Sequence, residues 1–167
     1  MEPDRLQARR MLGLAPNAEV VAILPGSRGS EIQYLGERFF AAARRLQQMR
    51  PGLRCVVPAV PTQRARIEAL ARTADMAGRI QVVAGNSHAV LAACDLTLVA
   101  SGTATLEAAL FKRPMVIAYR MNALNWWRMK GRGLQPWVGL PNILAREFLV
   151  PELIQHACTP EALACEA

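Results

Sequence analysis

A chain of 167 residues, 52% of them apolar and 20% charged, closes one core that buries roughly 70% of its unfolded surface, and it is too short for two ordinary domains. No low-complexity tract marks a disordered segment, and no apolar run reaches the ~20 residues that cross a bilayer. The formal charge of +7 asks for an anionic partner, whether nucleic acid, a phosphorylated substrate or the acidic face of a membrane, without choosing among them.

The charged opening "MEPDRLQARR" stands where a signal peptide would carry its apolar segment, so a cytoplasmic location is expected. Residues 4–12 read as a helix leading into a first strand over 20–24. Four further strands follow at 54–58, 80–84, 96–100 and 114–119, several of them apolar on both faces as buried parallel strands are. Between them, helical spacing predicts helices over 32–49, 63–72, 88–93 and 103–111. Strand-length runs alternating with helices predict an α/β fold, a Rossmann-like parallel sheet with helices on both faces and right-handed crossovers. Beyond Tyr119 the pattern breaks into a tryptophan-bearing helix, a Gly/Pro-punctuated loop and at least two further helical pieces, so 120–167 is expected to be a C-terminal helical part of the same single domain, 1–167. Cys55, Cys94, Cys158 and Cys165 are widely spaced, form no C-x-x-C pair, and read as buried free thiols.

Ligands of open parallel sheets bind beyond the carboxyl ends of the strands, and four such junctions carry suitable residues. In "LPGSRGSEI", Gly26 and Gly29 permit a tight turn that includes Ser27, Ser30 and Gln33 have capping-box spacing, and the next helix offers free N–H groups to a phosphate. Arg28 either contacts an oxyanion there or points to solvent. In "ASGTATLEAAL", Gly102 allows close approach, the hydroxyls of Ser101, Thr103 and Thr105 suit phosphate, and Glu107 lies on the face reached from Thr103, where a carboxylate can accept both hydroxyls of a ribose. A capped helix with an acidic first turn explains the same residues.

In "VVAGNSHAV", the Gly85-Asn86-Ser87 loop can cover a planar base; His88 is as well placed for the surface, and with His156 the one other histidine, a His-based metal site is not expected. In "VGLPNILAREF", Asn142 reads as either a helix N-cap or a donor to a substrate oxygen. Trp126, Trp127, Arg128, Lys130 and Arg132 form a mixed aromatic and basic stretch that suits a membrane interface, single-stranded nucleic acid or a partly buried helix with a basic edge. Neither G-x-G-x-x-G nor G-x-x-x-x-G-K-[ST] occurs, which takes support from dinucleotide and P-loop readings.

Taken together and in order, "LPGSRGSEI", "ASGTATLEAAL", "PMVIAYRMN" and "LPNILAREFLVPELIQ" resemble the C-terminal, nucleotide-binding half of the lipid-A-disaccharide synthases, glycosyltransferases of the GT-B fold. The resemblance implies transfer of 2,3-diacylglucosamine from UDP to 2,3-diacylglucosamine 1-phosphate, with inversion, and with no metal or other cofactor. It implies that the turn at Ser101, Gly102 and Thr103 holds the diphosphate, Glu107 the ribose, and the loop near Gly85 to His88, with Asn86, the uracil. Arg28 and Asn142 match polar positions near the phosphates and become the catalytic candidates, with Gly26, Ser27 and Gly29 beside them.

The family's N-terminal domain, with its acceptor site and general base, has no counterpart here, and the family's closing segment stops short after Cys165. The chain therefore reads as an isolated donor half, inactive alone. Peripheral association with the cytoplasmic face of the inner membrane and self-association of the fragment are expected; nucleic acid is not an expected partner. A peptidoglycan-precursor N-acetylglucosaminyltransferase or a UDP-N-acetylglucosamine 2-epimerase shares the sheet, but the tryptophan-basic stretch and "LPN" argue against both. A non-catalytic basic module binding membrane or RNA is the alternative of another class.

Overall fold

The computed structural model describes residues 4–122, 126–127 and 136–167. In chain order its elements are α1 (Arg5–Met11), β1 (Val20–Leu24), α2 (Gly29–Met49), β2 (Arg54–Ala59), α3 (Arg64–Thr73), β3 (Ile80–Ala84), α4 (Ser87–Ala93), β4 (Leu96–Ala100), α5 (Thr103–Leu110), β5 (Met115–Tyr119), α6 (Leu140–Ala145), β6 (Glu152–Ile154) and α7 (Pro160–Cys165). Six strands form one sheet in the order β3-β2-β1-β4-β5-β6, and every pairing is parallel.

β1 is buried along its whole length, and its side chains divide between two cores by the period of two that a strand imposes. Val21 and Ile23 face α2, α3 and α7, whereas Val20, Ala22 and Leu24 face α1, α4 and α5. The stripe Ile32, Leu35, Phe39, Ala42, Ala43 and Leu46 recurs at helical spacing and is buried throughout, which is why α2 forms and which side it turns to the sheet. Burying a side chain of the size of Phe39, Phe40 or Leu35 contributes ~1.5–3 kcal/mol, so this one helix anchors a large part of the first core.

The second core is closed by a buried cation. Arg9 on α1 is 1% exposed; its guanidinium donates to the carbonyls of Ala93 at 3.0 Å and Pro16, and to Asp95 at 2.9 Å. Asp95 in turn accepts from the Val20 N–H at 2.9 Å and pairs with Arg5. Pairing of this kind is what makes a buried guanidinium tolerable, and it fixes α1 against the loop that enters β4.

Two expectations need correction. The stretch after Tyr119 is not wholly helical, because Glu152–Ile154 forms a sixth strand paired with Ile117 to Tyr119 of β5. Three residues carry no measurable period, and this strand is defined by the free edge of β5. Of the four cysteines, Cys55, Cys94 and Cys158 are buried but Cys165, at the end of α7, is exposed. Burial pushes the Cys55 thiol up to about 12. Among the described residues no helix is long and apolar enough to cross a membrane.

Candidate functional site

The strand order reverses between β1 and β4, and at such a point the loops leaving two neighbouring strands diverge and open a crevice. A cleft of about 470 Å³ lies there, lined by Gly26, Ser27, Arg28 and Glu31 from the first turn and Ser101, Gly102, Thr103 and Glu107 from the second. Pro58, Ala59 and Val60 at the end of β2, with Gly85 and Ser87 after β3, form its far wall.

The first turn is built around Glu31. β1 stops at Leu24, and Gly26 takes φ +107°, a region that favours glycine. The chain enters α2 at Gly29, with Arg28 as N-cap in extended backbone. Glu31 then folds back so that its Oε2 accepts from the N–H of Ser27 at 3.0 Å and of Arg28 at 3.2 Å, while its Oε1 meets the Arg28 guanidinium at 3.0 Å. The cap therefore comes from Glu31, and the expected pair of Ser30 and Gln33 is displaced because the helix begins before Ser30. Arg28 remains 80% exposed at its side chain, on the rim of the cleft. Gly29 does not line the cleft; it packs beside the Arg66 side chain.

The second turn offers a free helix start. Gly102 has φ +157° and ψ −165°, and α5 begins at Thr103. The N–H groups of Thr103 and Ala104 have no intrahelical partner and carry partial positive charge, whereas that of Thr105 donates to the Gly102 carbonyl at 3.1 Å; Thr103 and Ala104 line the cleft, where this end can seat an anion. The Thr103 side chain makes no hydrogen bond among the described residues and is exposed. The other two hydroxyls expected to face a phosphate are occupied. Ser101 Oγ donates to the Val138 carbonyl at 2.7 Å, and the buried Thr105 donates to the Gly102 carbonyl at 2.7 Å. Glu107, one turn further, keeps its carboxylate partly open, with Oε2 3.6 Å from Nε2 of His88. The His88 ring also meets that of Phe111 in a tilted contact, centres 5.5 Å apart and planes at 41°, beside the glutamate.

The third junction supplies Gly85 and Ser87 to the wall, but Asn86 is not part of it. Gly85 and Asn86 both take left-handed backbone, at φ +58° and +56°, and Asn86 stands exposed outside the cleft.

Asn142 is neither an N-cap nor free to meet a substrate in this structure. Gly139 is the N-cap of α6, and Asn142 is the third helical residue, 0% exposed. Its amide donates to the Val150 carbonyl at 2.9 Å and to Glu152 at 2.7 Å, and its Oδ1 accepts from the N–H groups of Leu149 and Val150 at 2.8 and 3.0 Å. Both donors are used, so it clasps the segment that returns from α6 to β6.

Trp127 is 75% exposed and Trp126 half-buried; Arg128, Lys130 and Arg132 lie outside the described residues. Two acidic residues that shape the turns around the cleft, Glu31 and Glu152, have no role in the sequence reading. For Glu31 a signal existed, since a glutamate three residues past the N-cap is the second half of a capping box. Glu152 acts on residues 10 to 14 positions away through the fold, and no local pattern announces that.

The switch-point cleft and the six-stranded order define a Rossmann-like α/β domain. The structure of the Escherichia coli ADP-heptose LPS heptosyltransferase II superposes with a TM-score of 0.68 at 13% identity, over 99% of this chain and 50% of that one. The C-terminal domain of a group 1 family glycosyl transferase from Francisella tularensis superposes with a TM-score of 0.59 at 15% identity, over 96% of this chain and 78% of that one. Both likenesses speak for the fold.

The family follows from sequence: this chain belongs to the lipid-A-disaccharide synthetases, whose family model matches residues 1–167. The lipid-A-disaccharide synthase of Verminephrobacter eiseniae (strain EF01-2) is 64% identical over 163 residues, which cover 98% of this chain and 42% of that protein. The chain thus spans about two fifths of the length of the curated relatives it matches.

Proposed function

We propose that this chain is the donor half of a lipid-A-disaccharide synthase, holding UDP-2,3-diacylglucosamine while its sugar passes to 2,3-diacylglucosamine 1-phosphate with inversion. The observation that carries the reading is the convergence, at the switch point, of a free helix N-terminus at Thr103 and an open carboxylate at Glu107. The α5 start and the Thr103 hydroxyl receive the diphosphate, Glu107 accepts the ribose hydroxyls, and the wall at Pro58, Val60, Gly85 and Ser87 covers the uracil. Arg28, exposed on the rim, meets charge that develops on the departing UDP, which is where a preorganised cation acts most strongly.

Ser101 serves this site by holding the turn that forms its wall, and Asn142 by holding the segment from α6 to β6. A cytoplasmic enzyme lying against the inner membrane fits the acylated substrates, and exposed Trp127, Leu144, Phe148 and Leu149 are side chains that an interface accepts.

The reading is tested by product analysis. Joined to the N-terminal domain of its own full-length protein, the chain is expected to form an acylated disaccharide from the acylated donor and acceptor. A disaccharide formed equally well from non-acylated UDP-N-acetylglucosamine would instead support another GT-B activity.

A further inference from the structure

We propose that Glu152 is a positioning residue for the cleft, setting the turn at 101–103 through the backbone of Val138. The proposal rests on reading the cleft as a UDP site. Glu152 opens β6 and pairs with Ile117 in the sheet. Its Oε2 accepts from the N–H of Val138 at 2.8 Å, and its Oε1 accepts from the N–H of Gly139 at 2.9 Å and from Asn142 Nδ2 at 2.7 Å. The carbonyl of the same Val138 accepts from Ser101 Oγ at 2.7 Å. One peptide segment therefore bridges the edge strand and the turn from which α5 starts.

The local packing is built for this contact. A Cβ on residue 139 would lie 2.8 Å from Glu152 Oε1 and would overlap Ile117 Cδ1, so glycine lets the backbone approach Glu152 without displacing either side-chain tip. Asn142 already ties α6 to the backbone of Leu149 and Val150, which leaves the Val138 bond as an addition to what holding α6 demands. Ser101 is fixed from its other side by its N–H donating to Ala118 at 2.9 Å. With both ends held, the first N–H groups of α5 keep one direction into the cleft, and preorganisation of that kind raises affinity by lowering the ordering cost of binding.

Glu152→Gln discriminates well. Asn142 cannot turn its amide, since its oxygen is committed to two N–H donors. The glutamine oxygen is therefore held toward Gly139 and Asn142, and its NH2 faces the Val138 N–H, breaking that bond while leaving the shape. Ser101→Ala breaks the next link, leaving the Val138 carbonyl without its side-chain donor.

The experiment is a double-mutant cycle on UDP affinity, by calorimetry, with the unfolding midpoint of each variant measured in parallel. Each single variant is expected to bind UDP roughly three- to tenfold more weakly, and the double variant no more weakly than the weaker single, because both cut one chain of bonds. Singles whose effects multiply, or a Glu152→Gln chain that binds UDP like wild type, would overturn the proposal while the nucleotide reading stands. Should Glu152→Gln not fold, Ser101→Ala alone decides: unchanged UDP affinity removes the link. A folded wild-type chain that binds no UDP removes the nucleotide reading and the positioning role with it.

Discussion

Glu31 occupies the space that a side chain on residue 26 would need: a Cβ built on Gly26 overlaps the Glu31 carboxylate and lies 2.6 Å from its Cβ. The glycine of the first turn is thus required by the glutamate that caps α2, as well as by its own φ of +107°. Gly26→Ala combines backbone strain with overpacking, each ~1–3 kcal/mol. Denaturant unfolding is expected to show a loss of at least ~2 kcal/mol, and an unchanged midpoint would contradict the role of Glu31 in closing the turn.

Arg28 makes one ion pair, to Glu31, from a side chain that is largely exposed. Exposed pairs contribute little to stability, so Arg28→Ala is expected to leave the unfolding midpoint nearly unchanged. In the complete enzyme it is expected to lower turnover by about two orders of magnitude, the ~3 kcal/mol that one donor to developing charge supplies. The UDP affinity should fall far less. Kinetics with unchanged turnover would take Arg28 out of the mechanism.

Glu107 is assigned to the ribose, and a hydrogen bond to a charged group is worth ~1.5–3 kcal/mol. Glu107→Ala is expected to weaken UDP binding by one to two orders of magnitude and to abolish discrimination between UDP and its 2′,3′-dideoxy analogue. Retained discrimination would move the ribose elsewhere.

Asn142 holds Glu152 at 2.7 Å through its amide hydrogen. Asn142→Asp places a carboxylate against a carboxylate, and two such groups cannot both stay ionised at that distance. One takes up a proton in the folded state only, so the folded variant binds more protons than the unfolded chain and its stability falls as pH rises. Unfolding midpoints of Asn142→Asp are expected to approach wild type near pH 4 and to separate from it by pH 7. A separation independent of pH would show that the two side chains are not in contact.

Thiol labelling separates the cysteines. Cys55, Cys94 and Cys158 are buried, with burial raising all three thiols, whereas Cys165 is exposed. A maleimide at neutral pH is expected to modify Cys165 quickly and the other three only on unfolding. Rapid labelling of Cys158 as well would mean that α7 does not stay docked on α2.

Most strands of the sheet were legible from their apolar runs, the central β1 and β4 because they are largely buried on both faces and the edge strand β3 from Ile80, Val82 and Val83 alone. Val20–Leu24, Ile80–Ala84 and Leu96–Ala100 match their predicted limits residue for residue. β6 was not legible, since three residues on an edge owe their strand conformation to the partner Ile117 to Tyr119. In the site, Gly26, Arg28, Thr103 and Glu107 could be placed on the cleft from the rule that ligands sit beyond strand ends. What sequence could not show is which polar groups the protein has already used. Ser101, Thr105 and Asn142 have the right chemistry for a substrate and spend it on Val138, Gly102 and the 149–152 return. The Ser101 bond spans 37 positions and is a consequence of the fold that spacing along the chain does not encode, whereas the Thr105 bond is local to the start of α5, three residues from its acceptor.

The cleft between β1 and β4 is proposed to hold UDP. Calorimetric titration of UDP into the folded chain at moderate salt, with uridine and CDP as controls, tests it most directly. Saturable binding of UDP, weaker for both controls and lost in Glu107→Ala, is the predicted result. A folded chain that takes up uridine as well as UDP, or neither, would contradict it.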